Sequence, residues 1–496
     1  MSVAGLSSSG YPTYGRERDQ EAPHGQTPQL NTTDRPAASS PFPPPAPSRR
    51  VDRRNPPPKE PAIEQHPVAP LRRVACRSDR ALTGPGRFAL GLPGYASPTV
   101  LRVAADVTPL LTPRTGIGVL VEQLLTHLAC HDDLEIAGYA VTWRRRGQLA
   151  GALPDGVRVV DRAMAARPLH QMWMRTDHPR IERWVGKCDV VWGTNYVVPP
   201  TGASSLVSIY DLTPVRFPAL ADHHTRTFPR LIGRALRRGA RVHTLSNFVR
   251  DEIVEYFGVE PERVHVIPGG VRSAPAVQGV SSATGPPRAH DSPHQDTHER
   301  GTRGARGPAP SRQPLVGDGP YILALGTVEP RKDFPTLVRA FDQLAPRFPK
   351  LRLVIAGADG WGADELAAAI EQSSHRERIL RLGWVEEADR PALLGDASVF
   401  AYPSVYEGFG FPPLEAMSAG VPVVATRTGS LPDVCGDAAE LVAVGEPGQL
   451  AGALERVLVD QAHQGELVRR GRTVAASYSW SSAADRFAGL LQSLSR

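Results

Sequence analysis

The sequence predicts an α/β protein of two Rossmann-like domains, each a parallel sheet with helices on both faces. Three observations predict it. Strand-like apolar runs alternate with helical patterns over residues 99–273 and again over 315–476, the order that builds parallel βαβ units. Each series opens on a strand, a glycine-marked turn and a helix: TVLRVAAD at 99–106, Gly116 and Gly118, then VLVEQLLTHLA; and, in the second series, YILAL at 321–325, Gly326, then a helix from Pro335. Between them, 274–314 is rich in Pro, Ser, His, Arg and Gly without apolar period and reads as a disordered, flexible insertion.

Length and composition agree. A chain of 496 residues with 41% hydrophobic content holds two or three domains with soluble cores, and 49 Pro and 46 Gly exceed what compact domains alone carry. No run of about 18 apolar residues is present, so no membrane-spanning helix is expected, and the polar, Pro-rich N-terminus does not read as a signal peptide. Cys76, Cys130, Cys188 and Cys435 are widely spaced without C-x-x-C, which reads as reduced thiols of a cytoplasmic protein. The net charge of +6 hides an asymmetry: 315–496 carries 17 Lys+Arg against 23 Asp+Glu, and 1–314 carries 40 against 28. A basic first part suits nucleic acid, an anionic membrane or a phosphorylated substrate. Its basic stretches lack interleaved aromatics or a known module, which sets nucleic acid aside.

Taken in order, residues 1–98, with PFPPPAP at 41–47, cannot bury enough apolar surface to offset ordering entropy and read as a disordered tail. A polyproline ligand for a partner domain is the alternative. Within 99–273, strands are expected at 134–142, 189–192 (the third) and 205–210, the last ending in Asp211-Leu212-Thr213-Pro214. Residues 225–241 form the most patterned helix, with Arg226, Arg230, Arg234, Arg238 and Arg241 on one face and Phe228, Leu231, Ile232, Ala235 and Leu236 as an apolar stripe. That basic face reads either as solvated or as contact with an anionic membrane or phosphorylated acceptor. A strand, a capped helix and a strand with a glycine turn follow at 241–246, 247–257 and 264–271.

In 315–476 the first strand leads into Gly326-Thr327-Val328-Glu329-Pro330-Arg331-Lys332-Asp333 and a helix to 344 with Asp333 as its cap. Two adjacent cations between a strand end and a helix start suit a diphosphate. Strands follow at 351–356, 379–382, 397–402 and 422–426, and 477–496 reads as a closing helix. The spaced His290, His294 and His298 are interrupted by Pro293, and no D-x-D occurs, so no metal is expected.

The most informative stretch is PSVYEGFGFPPLEAMSAG at 403–420, where Glu407 and Glu415 bracket a loop of Gly408, Phe409, Gly410 and Phe411 before Pro412 and Pro413. Strand, glycine loop and helix in this order present N–H groups and a positive helix end to an anion. The glycines allow a ligand close to the backbone, and the prolines suit a helix start. A buried turn with two capping carboxylates is the bland alternative.

This stretch resembles the E-x7-E signature of retaining, nucleotide-sugar-dependent glycosyltransferases of family four (group 1), with Glu407 and Glu415 at the two Glu positions. Glu329-Pro330-Arg331-Lys332 matches the same family, and 210–214 resembles its His-Asp-Leu-x-Pro segment with Tyr210 in place of His. Thr327 stands where many members carry Arg. The resemblance covers roughly 101–272 and 315–494 and implies the GT-B arrangement, the two domains facing a cleft, with donor bound by the second and acceptor by the first, and the last helix crossing back. It implies Glu407 beside the transferred sugar, Glu415 on the ribose, Arg331 and Lys332 on the diphosphate, and Gly326, the 408–411 loop and the backbone at Val385 completing the donor site. Gly116, Gly118, Tyr210 and Asp211 fall on the acceptor side, Asp211 either as an acceptor-binding group or as a cap of its turn; it would be the base were the reaction inverting. The implied reaction moves a hexose, mannose before glucose, from a GDP- or UDP-linked donor to a lipid-linked or glycan acceptor with retention, without cofactor or metal. The implied place is the cytoplasm, with the basic helix at the inner face of the membrane as the extended reading. A sugar-nucleotide epimerase and a non-catalytic GT-B binding protein are the alternatives.

Overall fold

The computed structural model describes residues 100–111, 116–218, 225–272 and 316–495. The readings of the 1–98 tail, of 274–314 with its histidines, and of Cys76 lie outside the described residues. The first sheet is made of β1 (Leu101–Asp106), β2 (Leu134–Tyr139), β3 (Arg158–Val160), β4 (Val190–Gly193), β5 (Ser204–Ser208), β6 (Arg241–Thr244) and β7 (Val264–Val266). The second is made of β8 (Tyr321–Leu325), β9 (Arg352–Ala356), β10 (Ile379–Gly383), β11 (Val399–Tyr402), β12 (Val423–Thr426) and β13 (Ala439–Val442). Every pairing is parallel, in the orders β3-β2-β1-β4-β5-β6-β7 and β10-β9-β8-β11-β12-β13. Both orders reverse beside their first strand, so each sheet has a switch point, β1/β4 and β8/β11, where loops diverge and leave a crevice at the strands' carboxyl ends.

Local chemistry explains these elements. β8 is buried along its whole length, as a central parallel strand covered on both faces must be. Its side chains alternate between two cores: Ile322 and Ala324 meet Leu337, Phe341 and Leu454, whereas Tyr321, Leu323 and Leu325 join the core shared with the first domain. Helix Phe334–Leu344 starts at Asp333, whose carboxylate accepts the Thr336 N–H at 3.4 Å, with Pro335 in the first turn where its missing N–H costs little. Helix Asn247–Phe257 is capped by Ser246, which accepts the Val249 N–H at 3.2 Å.

Three sequence readings are corrected. β3 and β13 have no counterpart in them, so the strand read as third is fourth in order. The arginine-rich helix runs only over Phe228–Arg237, after a short turn at Thr225–Thr227, because Gly239 at φ +91° stops it and Arg241 opens β6. Its arginines do not share one solvent face either: Arg234 and Arg238 fold onto Asp177 at 2.7 and 3.4 Å, while Arg226, Arg230 and Arg237 are exposed. Among the described residues, Cys188 and Cys435 are free thiols.

Helix Trp480–Leu494 lies on the first sheet, where Phe487 packs against Trp192 and His243 at 4.5 and 4.9 Å between ring centres. Leu494 accepts the Ser204 hydroxyl at 2.6 Å. No helix among the described residues is long and apolar enough to cross a membrane.

Candidate active site

The loops that leave β8 and β11 meet at the second switch point. The Val405 N–H donates to the Arg331 carbonyl at 2.8 Å, which ties them together. Lys332 Nζ donates to Glu407 Oε1 at 2.7 Å and to the Tyr402 hydroxyl at 2.6 Å, lying 4.6 Å over the Tyr402 ring. Arg331 Nη1 is 2.9 Å from the same Glu407 oxygen and 3.0 Å from the Tyr406 carbonyl, and its Nη2 faces Glu329 at 3.4 Å. Lys332 and Glu407 are both buried. Gly326, closing β8, leaves room for the Lys332 stem, whose Cε would be 3.3 Å from an added Cβ.

Burial alone would push the Glu407 carboxyl up; Arg331 and Lys332 outweigh it and hold the group down at about 2. Burial likewise works against the Lys332 charge, with Glu407 opposing and Arg331 adding to the effect, and the ammonium is lowered on balance. The charged form is the state the geometry supports, because one carboxylate accepts from both cations and a neutral lysine would leave it half-served. The cluster is thus a preassembled, water-poor set of two cations and the carboxylates Glu407 and Glu329.

A third loop, after β12, clamps this one. Thr428 Oγ1 donates to the Val405 carbonyl at 2.8 Å, and the Ser430 N–H and hydroxyl lie 3.0 and 3.1 Å from the Glu407 carbonyl. Gly429, at φ +55°, is required: an added Cβ would stand 2.2 Å from that carbonyl oxygen. Tyr402, Thr428, Gly429 and Ser430 were missed by sequence reading. Only their places at the carboxyl ends of β11 and β12 could have signalled them.

The 408–411 loop differs from its sequence reading. An added Cβ on Gly408 would lie 1.9 Å from the Tyr210 carbonyl, so the close approach that Gly408 permits is made by the first domain. The Gly408 carbonyl accepts the Ser246 hydroxyl at 2.7 Å. Gly410, at φ +118°, precedes helix Phe411–Ser418, with Pro412 and Pro413 in its first turn, and Phe409 is buried against Phe411 and Tyr478. Glu415, on that helix, has Arg390 as its partner at 2.6 Å rather than Arg331 or Lys332. Val385 is half-buried in the loop after β10, beside the exposed Trp384.

On the first domain, Asp211 accepts the Thr213 N–H at 3.0 Å and so caps its own turn, yet its charge also reaches Arg331 across the cleft. Tyr210 is turned away from the cleft: its hydroxyl donates to the Thr194 carbonyl at 2.5 Å inside the domain, and only its backbone faces the second one. That corrects its reading as an acceptor contact. Gly116 opens helix Gly116–Leu128 into open space, and Gly118, in the same first turn, is buried.

Comparison with known proteins finds relatives for both domains. The model for glycosyl transferases group 1 matches residues 309–474, and that for Glycosyltransferase Family 4 matches 114–274. The O-antigen chain mannosyltransferase B of Escherichia coli is 28% identical over 395 residues, spanning 77% of this chain and 96% of that one. A phosphatidyl-myo-inositol mannosyltransferase of Mycolicibacterium smegmatis is 34% identical over 169 residues, 33% of this chain and 42% of its own length. Among solved structures, WaaG, a glycosyltransferase involved in lipopolysaccharide biosynthesis, superposes with a TM-score of 0.56 at 15% identity, over 78% of this chain and 99% of that one. Anabaena HepE in complex with UDP does so with 0.55 at 18% identity, over 79% and 100%. The two family models fall one on each sheet and the solved structures follow the whole two-domain course, so this chain belongs to the group 1, family four glycosyltransferases and has the GT-B fold.

Proposed function

We propose that this glycosyltransferase moves a hexose, mannose in our reading, from a GDP-linked donor to a lipid-linked or polysaccharide acceptor with retention of configuration; UDP-glucose is the second donor. The observation that carries the proposal is the buried Arg331–Glu407–Lys332 cluster at the switch point of the second sheet. The choice of mannose is supported by the relatives named as mannosyltransferases.

Breaking the sugar–phosphate bond sends its electron pair to the diphosphate and leaves a cation-like sugar. Preorganised cations in a water-poor site are suited to the first charge, which assigns it to Arg331 and Lys332. Glu407, held anionic, faces the second. The acceptor hydroxyl adds to the anomeric carbon on the face the diphosphate leaves, and its proton passes to the departing phosphate oxygen. Glu415 exchanges Arg390 for the ribose hydroxyls, and Asp211 lies on the acceptor side. For a lipid-linked acceptor, the exposed Arg226, Arg230 and Arg237 are the side that meets anionic headgroups at the inner membrane face.

The test is nucleotide release from GDP-mannose and UDP-glucose, with and without a polyprenyl-diphosphate-linked oligosaccharide or a mannan oligosaccharide, and the anomeric configuration of the product by NMR. Acceptor-dependent release with an α-linked product supports the proposal. Release without acceptor would turn the reading to an epimerase or a hydrolase.

A further inference from the structure

We propose that Tyr406 is a positioning residue: its hydroxyl latches the two domains together and so fixes Glu407 in the closed cleft. Tyr406 immediately precedes Glu407 and is buried. Its hydroxyl accepts the Leu212 N–H at 2.9 Å and donates to Glu252 Oε2 at 2.5 Å, both on the first domain. Glu252 is itself buried, on helix Asn247–Phe257, and its other oxygen is held by Arg216 Nε at 2.7 Å. The Tyr406 ring packs against Phe217 and Phe248 at 5.4 and 5.8 Å between centres. Its carbonyl, meanwhile, accepts from Arg331 at 3.0 Å within the second domain.

One residue is therefore bonded to the first domain by its side chain and to the cationic cluster by its backbone. On the other side of Glu407, Gly408 is bonded to Ser246. The carboxylate of Glu407 touches only second-domain groups, yet both its chain neighbours are anchored on the first domain. Opening the cleft releases these anchors and leaves the buried Glu252 with Arg216 alone. Two domains joined this way share an equilibrium between closed and open forms, and the hydroxyl–carboxylate bond sets its bias. A phenylalanine would fill the same ring pocket, so the hydroxyl is not needed for packing. Its two partners explain it.

The effect on turnover rests on the proposed transferase reading; the latch itself does not, and the experiment separates them. Hydrogen exchange is measured by mass spectrometry on full-length wild type, Tyr406→Phe, Glu252→Gln and the double variant, without ligand. The latch predicts about tenfold faster exchange in peptides covering 206–217 and 403–411 for each variant, no further increase in the double variant, and unchanged exchange in β8 and β9. With GDP-mannose, kcat falls about tenfold in Tyr406→Phe. Unchanged exchange in Tyr406→Phe, or additive effects in the double variant, overturns the latch. Exchange that behaves as predicted in a protein with no transferase activity leaves the latch standing and removes the proposed function.

Discussion

The Lys332 ammonium lies 2.7 Å from the Glu407 carboxylate, although 75 residues separate them in the chain. They meet because β8 and β11 are neighbours at a switch point, so the loops at their carboxyl ends share one space. Burial makes the contact consequential. Neither charge has bulk water to fall back on, and each depends on the other.

Removing one partner therefore costs stability as well as activity. Lys332→Ala leaves Glu407 to Arg331 alone, and Glu407→Gln leaves two cations facing a neutral amide. Breaking a buried pair from one side costs roughly 3–5 kcal/mol, and loss of such an electrostatic group costs about a hundredfold or more in kcat. Urea unfolding followed by tryptophan fluorescence, with a nucleotide-release assay, measures both. Turnover within threefold of wild type in Lys332→Ala would remove that residue from the chemistry.

The same pair shapes acid stability. With its carboxyl held down to about 2 from an ordinary 4.5, Glu407 stabilises the folded state fully above pH 4.5 and loses that contribution as pH falls toward 2. The size is on the order of 3 kcal/mol. Urea midpoints across this window should decline less steeply in Glu407→Gln than in wild type; parallel curves would contradict the assignment.

Asp106, at the carboxyl end of β1, has the opposite sign. Burial pushes its carboxyl up to about 6 from 3.8, against the hydrogen bonds from Thr108. The folded state keeps a proton that the unfolded chain releases, so the contribution is best below pH 3.8 and is lost as pH rises through 6. Asp106→Asn keeps the acceptor oxygen for Thr108 and removes the loss, with a gain on the order of 3 kcal/mol at pH 7. Equal urea midpoints for variant and wild type at pH 7 would show that Asp106 titrates normally.

Gly429→Ala tests the clamp behind Glu407. A Cβ there meets the Glu407 carbonyl at 2.2 Å, on a backbone at φ +55° that disfavours alanine. Kcat is expected to fall about tenfold or more, with a stability loss of about 1–3 kcal/mol. Wild-type kcat would mean that the Glu407 backbone can shift without consequence.

What was legible in the sequence, and what was not, follows from range. Helix Phe334–Leu344 and its Asp333 cap are written in neighbouring residues, and so is the pair Arg331-Lys332. β3, with three residues, and β13, with four, are edge strands too short to show a period. Arg241 continues the arginine spacing of the preceding helix, and only the turn at Gly239 separates them. Tyr402, Ser430 and Glu252 join the site through contacts made across the sheet or across the cleft, which no local pattern encodes. Tyr210 stands at the position expected of a site residue, yet its hydroxyl found the Thr194 carbonyl inside its own domain.

Uptake of a nucleotide-sugar diphosphate by Arg331 and Lys332 beside Glu407 is measured by isothermal titration of GDP-mannose and UDP-glucose into wild type and Lys332→Ala. Wild type is expected to bind one of the two donors, and Lys332→Ala to bind it about a hundredfold more weakly. Equal affinity in the two proteins would contradict it.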